Sequence, residues 1–230
     1  MMKIAVFTGA GISRESGIAT FRNSSGLWAN YRIEDVCTPE ALVRNREGVI
    51  DFYNMRRREV LSKEPNAAHR ALVELERHFE VEVITQNIDD LHERAGSTRV
   101  THLHGEIRKL RSSLSELATV PIEGWEQKYD TRHPDGSLLR PFVVFFGESV
   151  PMLERAIEVT RTADLMIVVG TSLQVYPAAS LVYYLRPGTP VYLIDPHAPA
   201  LSLDNLQIIR EPASTGVPKV VDELIDKYQL

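Results

Sequence analysis

The chain has one cysteine, Cys37, among its 230 residues. That excludes an intrachain disulfide and any all-cysteine metal site within one chain. No apolar run approaches bilayer length, so no transmembrane helix is expected. A basic excess is missing too: 26 Lys and Arg stand against 31 Asp and Glu, for a formal charge of −5. A protein built to coat nucleic acid carries the opposite balance. The opening residues, MMKIAVFTGAG, lack the charged, apolar and small-residue segments of a signal peptide. They read as a first strand running into a glycine turn, and the expected compartment is the cytoplasm. There is no repeat and no low-complexity linker. What is there is an ordinary globular balance, 43% hydrophobic and 25% charged. The length allows one domain with a full core and room for a smaller lobe.

Short apolar, β-branched runs recur at Ile4–Phe7, Val81–Ile84, Val143–Phe146, Leu165–Val169 and Val191–Ile194. Helical patterns lie between several of them. Ala68, Leu72, Leu75 and Phe79 make one stripe after a Pro65-Asn66 start. Val217, Val221, Leu224 and Tyr228 make another after Ser214-Thr215. Strands alternating with helices predict an α/β fold with a largely parallel, doubly wound sheet. Residues 33–78 look mostly helical, and residues 108–140 look irregular. Both are expected to leave the core and form a small lobe. The large lobe would then hold residues 1–32, 79–107 and 141–230. Clefts between lobes favour ligands.

Four strand ends carry chemistry. The first strand runs into Gly9-Ala10-Gly11-Ile12-Ser13, where glycines would let backbone approach a diphosphate. The dinucleotide spacing is not kept, because Arg14 sits where a third glycine belongs. An ordinary tight turn is the plain alternative. Phe21 and Arg22 follow on an expected loop, with Arg22 suited to phosphate. Gln86-Asn87-Ile88-Asp89 follows the second run. Asn87 and Asp89, two apart, would project the same way in extended backbone. They suit a small amide-bearing group and a ribose, or else simply an Asx turn. His104, beside Gly105, is a general-base candidate because its pKa lies near neutrality. His102, His92 and His69 rank close behind. Gly170-Thr171-Ser172 places hydroxyls at a later strand end, and the backbone of Phe146-Gly147-Glu148 and of the Val175 region suits an extended peptide. Finally, FYNMRRR sets Tyr53 and Arg56 on one helix face. That pair either reads a negatively charged ligand or is part of a solvated basic turn.

In order along the chain, GAGISRESGIATFR, TQNIDDLHERAG, LHGE, RPFVVFFGE and GTSLQVYPAASL resemble the sirtuin family of NAD-dependent protein lysine deacylases. The resemblance implies a Rossmann-type large domain and a small lobe, with NAD and an acyl-lysine meeting in the cleft. It implies that Gly9, Ala10, Gly11 and Ser13 line the diphosphate, and that Phe21, Arg22 and Trp28 belong to a cofactor-binding loop. Gln86, Asn87, Ile88 and Asp89 would hold the nicotinamide and its ribose. Gly170, Thr171 and Ser172, with Asp195 and Ala213, would serve the adenosine half. His104 would be the general base. Gly147, Glu148, Phe146 and Val175 would flank the substrate peptide, and Val143 with Phe21 would line the acyl tunnel. NAD would be consumed, giving nicotinamide, free lysine and 2′-O-acyl-ADP-ribose. The implied partners are acyl-lysine proteins or peptides, with no nucleic acid and no membrane; oligomeric state stays open.

Two departures from the family are visible. Most relatives carry two cysteine pairs for a structural zinc after the His-Gly motif, whereas this chain reads IRKLRSSLSELATVPIEGW there. No zinc is expected, so packing by Leu110, Leu114, Leu117, Val120, Ile122, Trp125 and Tyr129 must hold that lobe. Asp195 stands where many relatives have asparagine, near the adenosine end. Tyr53 and Arg56 match the Tyr-x-x-Arg pair of the class III, desuccinylase-like branch. That match implies acetyl, succinyl or malonyl removal, with Arg57 and Arg58 left solvated. An ADP-ribosyltransferase, an NAD glycohydrolase and a non-enzymatic NAD-binding module are the rival readings.

Overall fold

The computed structural model describes residues 1–19 and 31–228. In chain order the strands are β1 (Lys3–Thr8), β2 (Glu80–Thr85), β3 (Val100–His102), β4 (Gly105–Ser112), β5 (Thr119–Pro121), β6 (Leu139–Val143), β7 (Leu165–Val169), β8 (Val191–Ile194) and β9 (Leu206–Ile209). The helices are α1 (Ile33–Val36), α2 (Pro39–Arg44), α3 (Arg46–Leu61), α4 (Ala67–Glu76), α5 (Leu91–Ala95), α6 (Leu153–Thr162) and α7 (Ala213–Tyr228). Short 3-10 helices cover Ala10–Ser16 and Ala178–Tyr184.

Six strands form the expected parallel sheet, in the order β3-β2-β1-β7-β8-β9. Strands β7 and β8, LMIVV and VYLI, are buried at every residue because both faces are covered there. Alternation sorts β1 between them: Ile4 and Val6 pack with α4 and α7, while Ala5 and Phe7 pack with α6 and the 3-10 helix Ala178–Tyr184. Each such side chain contributes about 1.5–3 kcal/mol when fully buried.

Helix α4 starts where Pro65-Asn66 predicts. The Asn66 side chain accepts from Ala68 N, and His69 Nδ1 accepts from Asn66 N in return. Its stripe, however, faces α7 and the parallel sheet, so α4 packs with the large lobe and not with the small one. Helix α7 begins at Ala213, earlier than expected, because Glu15 accepts a hydrogen bond from Ser214 N at 2.7 Å. The buried part of its stripe ends at Leu224; Tyr228 is exposed.

The other differences lie in the small lobe. Residues 108–140 are not merely irregular: β5-β4-β6 form a separate antiparallel sheet. The run Val143–Phe146 does not join the parallel sheet. Its strand ends at Val143 and belongs to this second sheet. Only part of the expected packing set is inside: Leu110 and Ile122 cluster with Leu139, while Leu114 and Leu117 are 80% and 67% exposed. Trp125 and Tyr129 also face solvent.

Polar side chains fasten the lobe in their place. Arg57, expected in solvent, is completely buried. Its Nε donates to Ile107 O at 2.7 Å, and its Nη1 donates to Trp125 O and Asn54 Oδ1 at 2.7 and 2.9 Å. Asn54 Nδ2 donates to Gln127 O, and Gln127 Nε2 donates to Leu139 O. The reason is helical geometry: successive residues turn by about 100°, so Arg56 faces the cavity described below while Arg57 faces β4. Arg58 is exposed, as expected, and lies over the Trp125 ring. Burial, with Arg108 nearby, lowers the Arg57 pKa to about 10.

This arrangement sets a stability expectation. Arg57→Met strands the buried Ile107 carbonyl, at about 1–3 kcal/mol, and also removes the donor to the part-buried Trp125 carbonyl. Urea unfolding should register a loss of about 2 kcal/mol or more, whereas Arg58→Met should stay within about 0.5 kcal/mol. Equal small effects would return Arg57 to solvent.

Candidate active site

The strand order reverses direction between β1 and β7, and the crevice at their carboxyl ends is where open α/β sheets take ligands. Two turns meet there. Gly9 N donates to Val169 O and Gly11 N to Gly170 O. A Cβ on Gly11 would lie 2.5 Å from Gly170 Cα, and one on Gly170 2.5 Å from Ile12 N. The glycines are therefore demanded first by backbone-to-backbone packing of the two turns. Ala10, Gly11 and Ser13 then line a cavity of about 910 Å³. Gly9 is not on the cavity wall; it sits behind.

The loop after β2 is tied down at each residue. Thr8 Oγ1 and Asn87 N both donate to Thr85 Oγ1. Ser13 Oγ donates to Asp89 Oδ2 at 3.0 Å and accepts from Asn87 Nδ2 at 3.2 Å. Asp89 Oδ1 accepts from Leu91 N, the bond of an Asx turn. Burial raises the Asp89 pKa, with the Leu91 N–H and Ser13 hydroxyl opposing. Gln86 Oε1 accepts from Thr171 Oγ1 at 2.9 Å. Its Nε2 is buried and has no partner among the described residues. A ligand presenting an acceptor there would satisfy it.

The alternate residues His102 and His104 brace this loop from the next strand. His102 Nδ1 reaches Asn87 O and its Nε2 reaches Glu93 Oε1, each at 2.8 Å. Burial works against a charged His102, but Glu93 outweighs it and holds the pKa above the ordinary value. His102 lies off the main cavity. His104 is on it, half-buried, with Nδ1 3.0 Å from Gln86 O. A carbonyl only accepts, so Nδ1 carries the proton and Nε2 keeps its lone pair. Burial lowers the His104 pKa, opposed by the Gln86 carbonyl.

Tyr53 and Arg56 also line the cavity. Tyr53 is buried, stacks beside Phe145 and donates to Cys37 Sγ at 3.4 Å. Burial pushes both its phenol and the Cys37 thiol up, so both are neutral. Arg56 Nη1 donates to Glu59 Oε2 at 2.6 Å. Val143, Phe146, Gly147, Glu148 and Val175 line it as well. The Glu148 carboxylate itself is occupied: it accepts from Arg140, Arg111 and Phe145 N. Ile88, Gly170, Thr171, Ser172, Asp195 and Ala213 are also on the wall. Asp195 Oδ1 accepts from His197 N at 2.7 Å. Phe21, Arg22 and Trp28 lie outside the described residues.

Sequence reasoning missed Cys37 on the cavity wall, and Thr85, Arg111 and Arg140 as the partners that hold wall residues in place. Arg140 opens the RPFVVFFGE run, which was the available signal. No described helix is long and apolar enough to cross a membrane, and among the described residues no cluster of three His, Cys, Asp or Glu is placed to hold a metal.

Residues 9–177 match the Sir2 family. The chain is 57% identical over 192 residues to an NAD-dependent protein deacylase of Aggregatibacter actinomycetemcomitans, covering 84% of this chain and 92% of that protein. It is 46% identical to one of Bacteroides thetaiotaomicron, covering 98% and 99%. A solved Sir2 homologue–ADP-ribose complex superposes with a TM-score of 0.90 at 38% identity, over 99% of this chain and 94% of that one. The chain belongs to the Sir2, or sirtuin, family. Its fold is the Rossmann-type α/β fold of those structures.

Two buried histidines behind the site give a pH expectation. Burial first, then Arg70, lowers the His69 pKa to about 4, and burial holds that of His92 well below 6.5. Histidines in the unfolded chain titrate near 6.5. Below that value the unfolded state binds more protons, so the histidines' contribution is full above about 6.5 and is lost as pH falls toward 4. Urea midpoints should drop across that window, and His69→Gln should flatten the drop. An identical pH slope in the variant would contradict this.

Proposed function

We propose that this protein is an NAD-dependent protein-lysine deacylase that removes acetyl, succinyl and malonyl groups. One observation carries the reading: Ser13, Asn87, Asp89 and His104 share a single cavity with Tyr53 and Arg56. The names of the relatives agree with it, and one solved neighbour is a Sir2 complex with a deacetylated p53 peptide and an acetyl ADP-ribose. The partners are acyl-lysine proteins or peptides.

NAD, when bound, supplies the ribose carbon that nicotinamide leaves and the oxygen that accepts the acyl group. Gln86, with its unpartnered amide Nε2, and Asn87, Ile88 and Asp89 fit the nicotinamide end. Ala10, Gly11 and Ser13 line the diphosphate, and Phe21, Arg22 and Trp28 are assigned to cofactor binding as well. Gly170, Thr171, Ser172, Asp195 and Ala213 hold the adenosine half. Asp195 would repel a 2′-phosphate, which favours NAD over NADP. His104 Nε2 accepts a proton during acyl transfer; its lowered pKa keeps it neutral at pH 7. The peptide lies between Phe146-Gly147-Glu148 and Val175. Val143 and its apolar neighbours keep water from the acyl carbon. Arg56 and Tyr53 meet the acyl carboxylate, for which a planar guanidinium is well suited. With one cysteine in the chain, we place no structural zinc, and we set this chain in the class III branch.

The test is a panel of acyl-lysine peptides assayed for nicotinamide release. Release should require the acyl peptide; release without it would favour a glycohydrolase or ADP-ribosyltransferase. His104→Ala should lower turnover by about 10²–10⁴-fold in folded protein. Arg56→Met should lower the succinyl-to-acetyl ratio of kcat/KM by about 10-fold or more, since a hydrogen bond to a charged group is worth about 1.5–3 kcal/mol. Tyr53→Phe should act more weakly in the same direction. Equal loss with both peptides would make Arg56 a structural residue.

A further inference from the structure

The Arg56–Glu59 pair suggests more than a helix contact. Arg56 is 6% exposed and lines the cavity, and Glu59 meets its Nη1 at 2.6 Å. Glu59 is not on the cavity wall, so it holds the guanidinium from behind, one helical turn along α3. Its side chain is 25% exposed, so this is not a freely hydrated surface pair. We propose that Glu59 sets the balance between anionic and neutral acyl groups, by standing in as a built-in carboxylate for Arg56. This rests on the reading of Arg56 as the acyl-reading residue.

The physical argument has two sides. A buried guanidinium with no counter-charge is costly. When the acyl group is neutral, as in acetyl-lysine, Glu59 already balances Arg56, and no charge is stranded. When the acyl group ends in a carboxylate, that carboxylate docks on a guanidinium shared with Glu59. A guanidinium has enough donors for two carboxylates, but the two anions then sit a few ångströms apart in a poorly screened place and repel. Glu59 therefore widens the acyl range and weakens the grip on acids. Two nearby arginines are engaged elsewhere. Arg57 turns away to Ile107 and Trp125, and Arg140 is committed to Glu148. Tyr53 and Cys37 are neutral.

Glu59→Gln separates charge from geometry, because the amide oxygen still accepts from Arg56. Kinetic constants would be measured with succinyl- and acetyl-lysine forms of one peptide, on protein checked for folding by its melting curve. Glu59→Gln should raise the succinyl-to-acetyl ratio of kcat/KM by about 3- to 10-fold, mainly through a lower KM for the succinyl peptide. Glu59→Ala, a second neutral variant, should move the ratio the same way. Glu59→Asp, which restores the charge, should bring it back toward wild type. A purely structural Glu59 would not split KM from kcat between the two peptides. An unchanged or lowered ratio in both neutral variants overturns the inference. Arg56→Met in the same assay keeps the two readings apart. If it lowers the ratio while the neutral Glu59 variants fail to raise it, only the role of Glu59 falls. If it leaves the ratio unchanged, acyl reading by Arg56 falls and takes Glu59 with it.

Discussion

Everything at the centre of this molecule hangs on two chain turns that touch without side chains. The turn after β1 and the turn after β7 pass so closely that Gly11 and Gly170 exchange a backbone hydrogen bond of 2.8 Å. No residue with a Cβ fits at either position without displacement. The contact fixes where the 3-10 helix Ala10–Ser16 starts, and hence where Ser13 sits. Ser13 in turn bonds Asp89 and Asn87, and Gln86 bonds Thr171. These residues thus form one hydrogen-bonded unit drawn from three strand ends of the parallel sheet.

Tyr53 and Arg56 are held differently. Helix α3 presents Tyr53 and Arg56 to the cavity and Arg57 to the small sheet. Ile107 bonds in two directions: its carbonyl accepts from Arg57 Nε, and its N–H donates to Ile88 O at 2.7 Å. Helix α3 and the loop after β2 are therefore held together through a single residue of β4. The small lobe itself has little apolar mass, with Leu110, Ile122 and Leu139 as its buried cluster. Directed bonds from Arg57, Asn54 and Arg46 to backbone carbonyls join that lobe to α3, and Gln127 ties two of the lobe's own segments together.

Where the sequence was legible, a simple periodicity or cap carried the information. The runs at Ile4, Val81, Leu165 and Val191 became parallel strands, and Asn66 capped α4. An amphipathic stripe says which face of a helix is apolar but not what covers it, so α4 was grouped with the wrong neighbours. The β4 strand, GEIRKLRS, carries four charged residues and hides its ladder behind a polar composition. Arg57 was misjudged because a run of arginines reads as solvated unless the helix phase relative to β4 is known. The site was legible as motifs, and those motifs did converge on one cavity; the partners that orient them, such as Thr85, Cys37 and Arg140, were not. Glu59 shows the same limit: its spacing from Arg56 was visible, but not that Arg56 faces inward.

The contact between the two glycine turns holds this hydrogen-bonded unit in place. Gly170→Ala tests it directly, because the added Cβ would press on Ile12 N at 2.5 Å from a φ of 59°. NAD affinity measured by calorimetry on folded protein should weaken by about tenfold or more, matching strain of about 1–3 kcal/mol. Binding of an acyl-lysine peptide should be retained. An NAD affinity within about twofold of wild type would contradict the account.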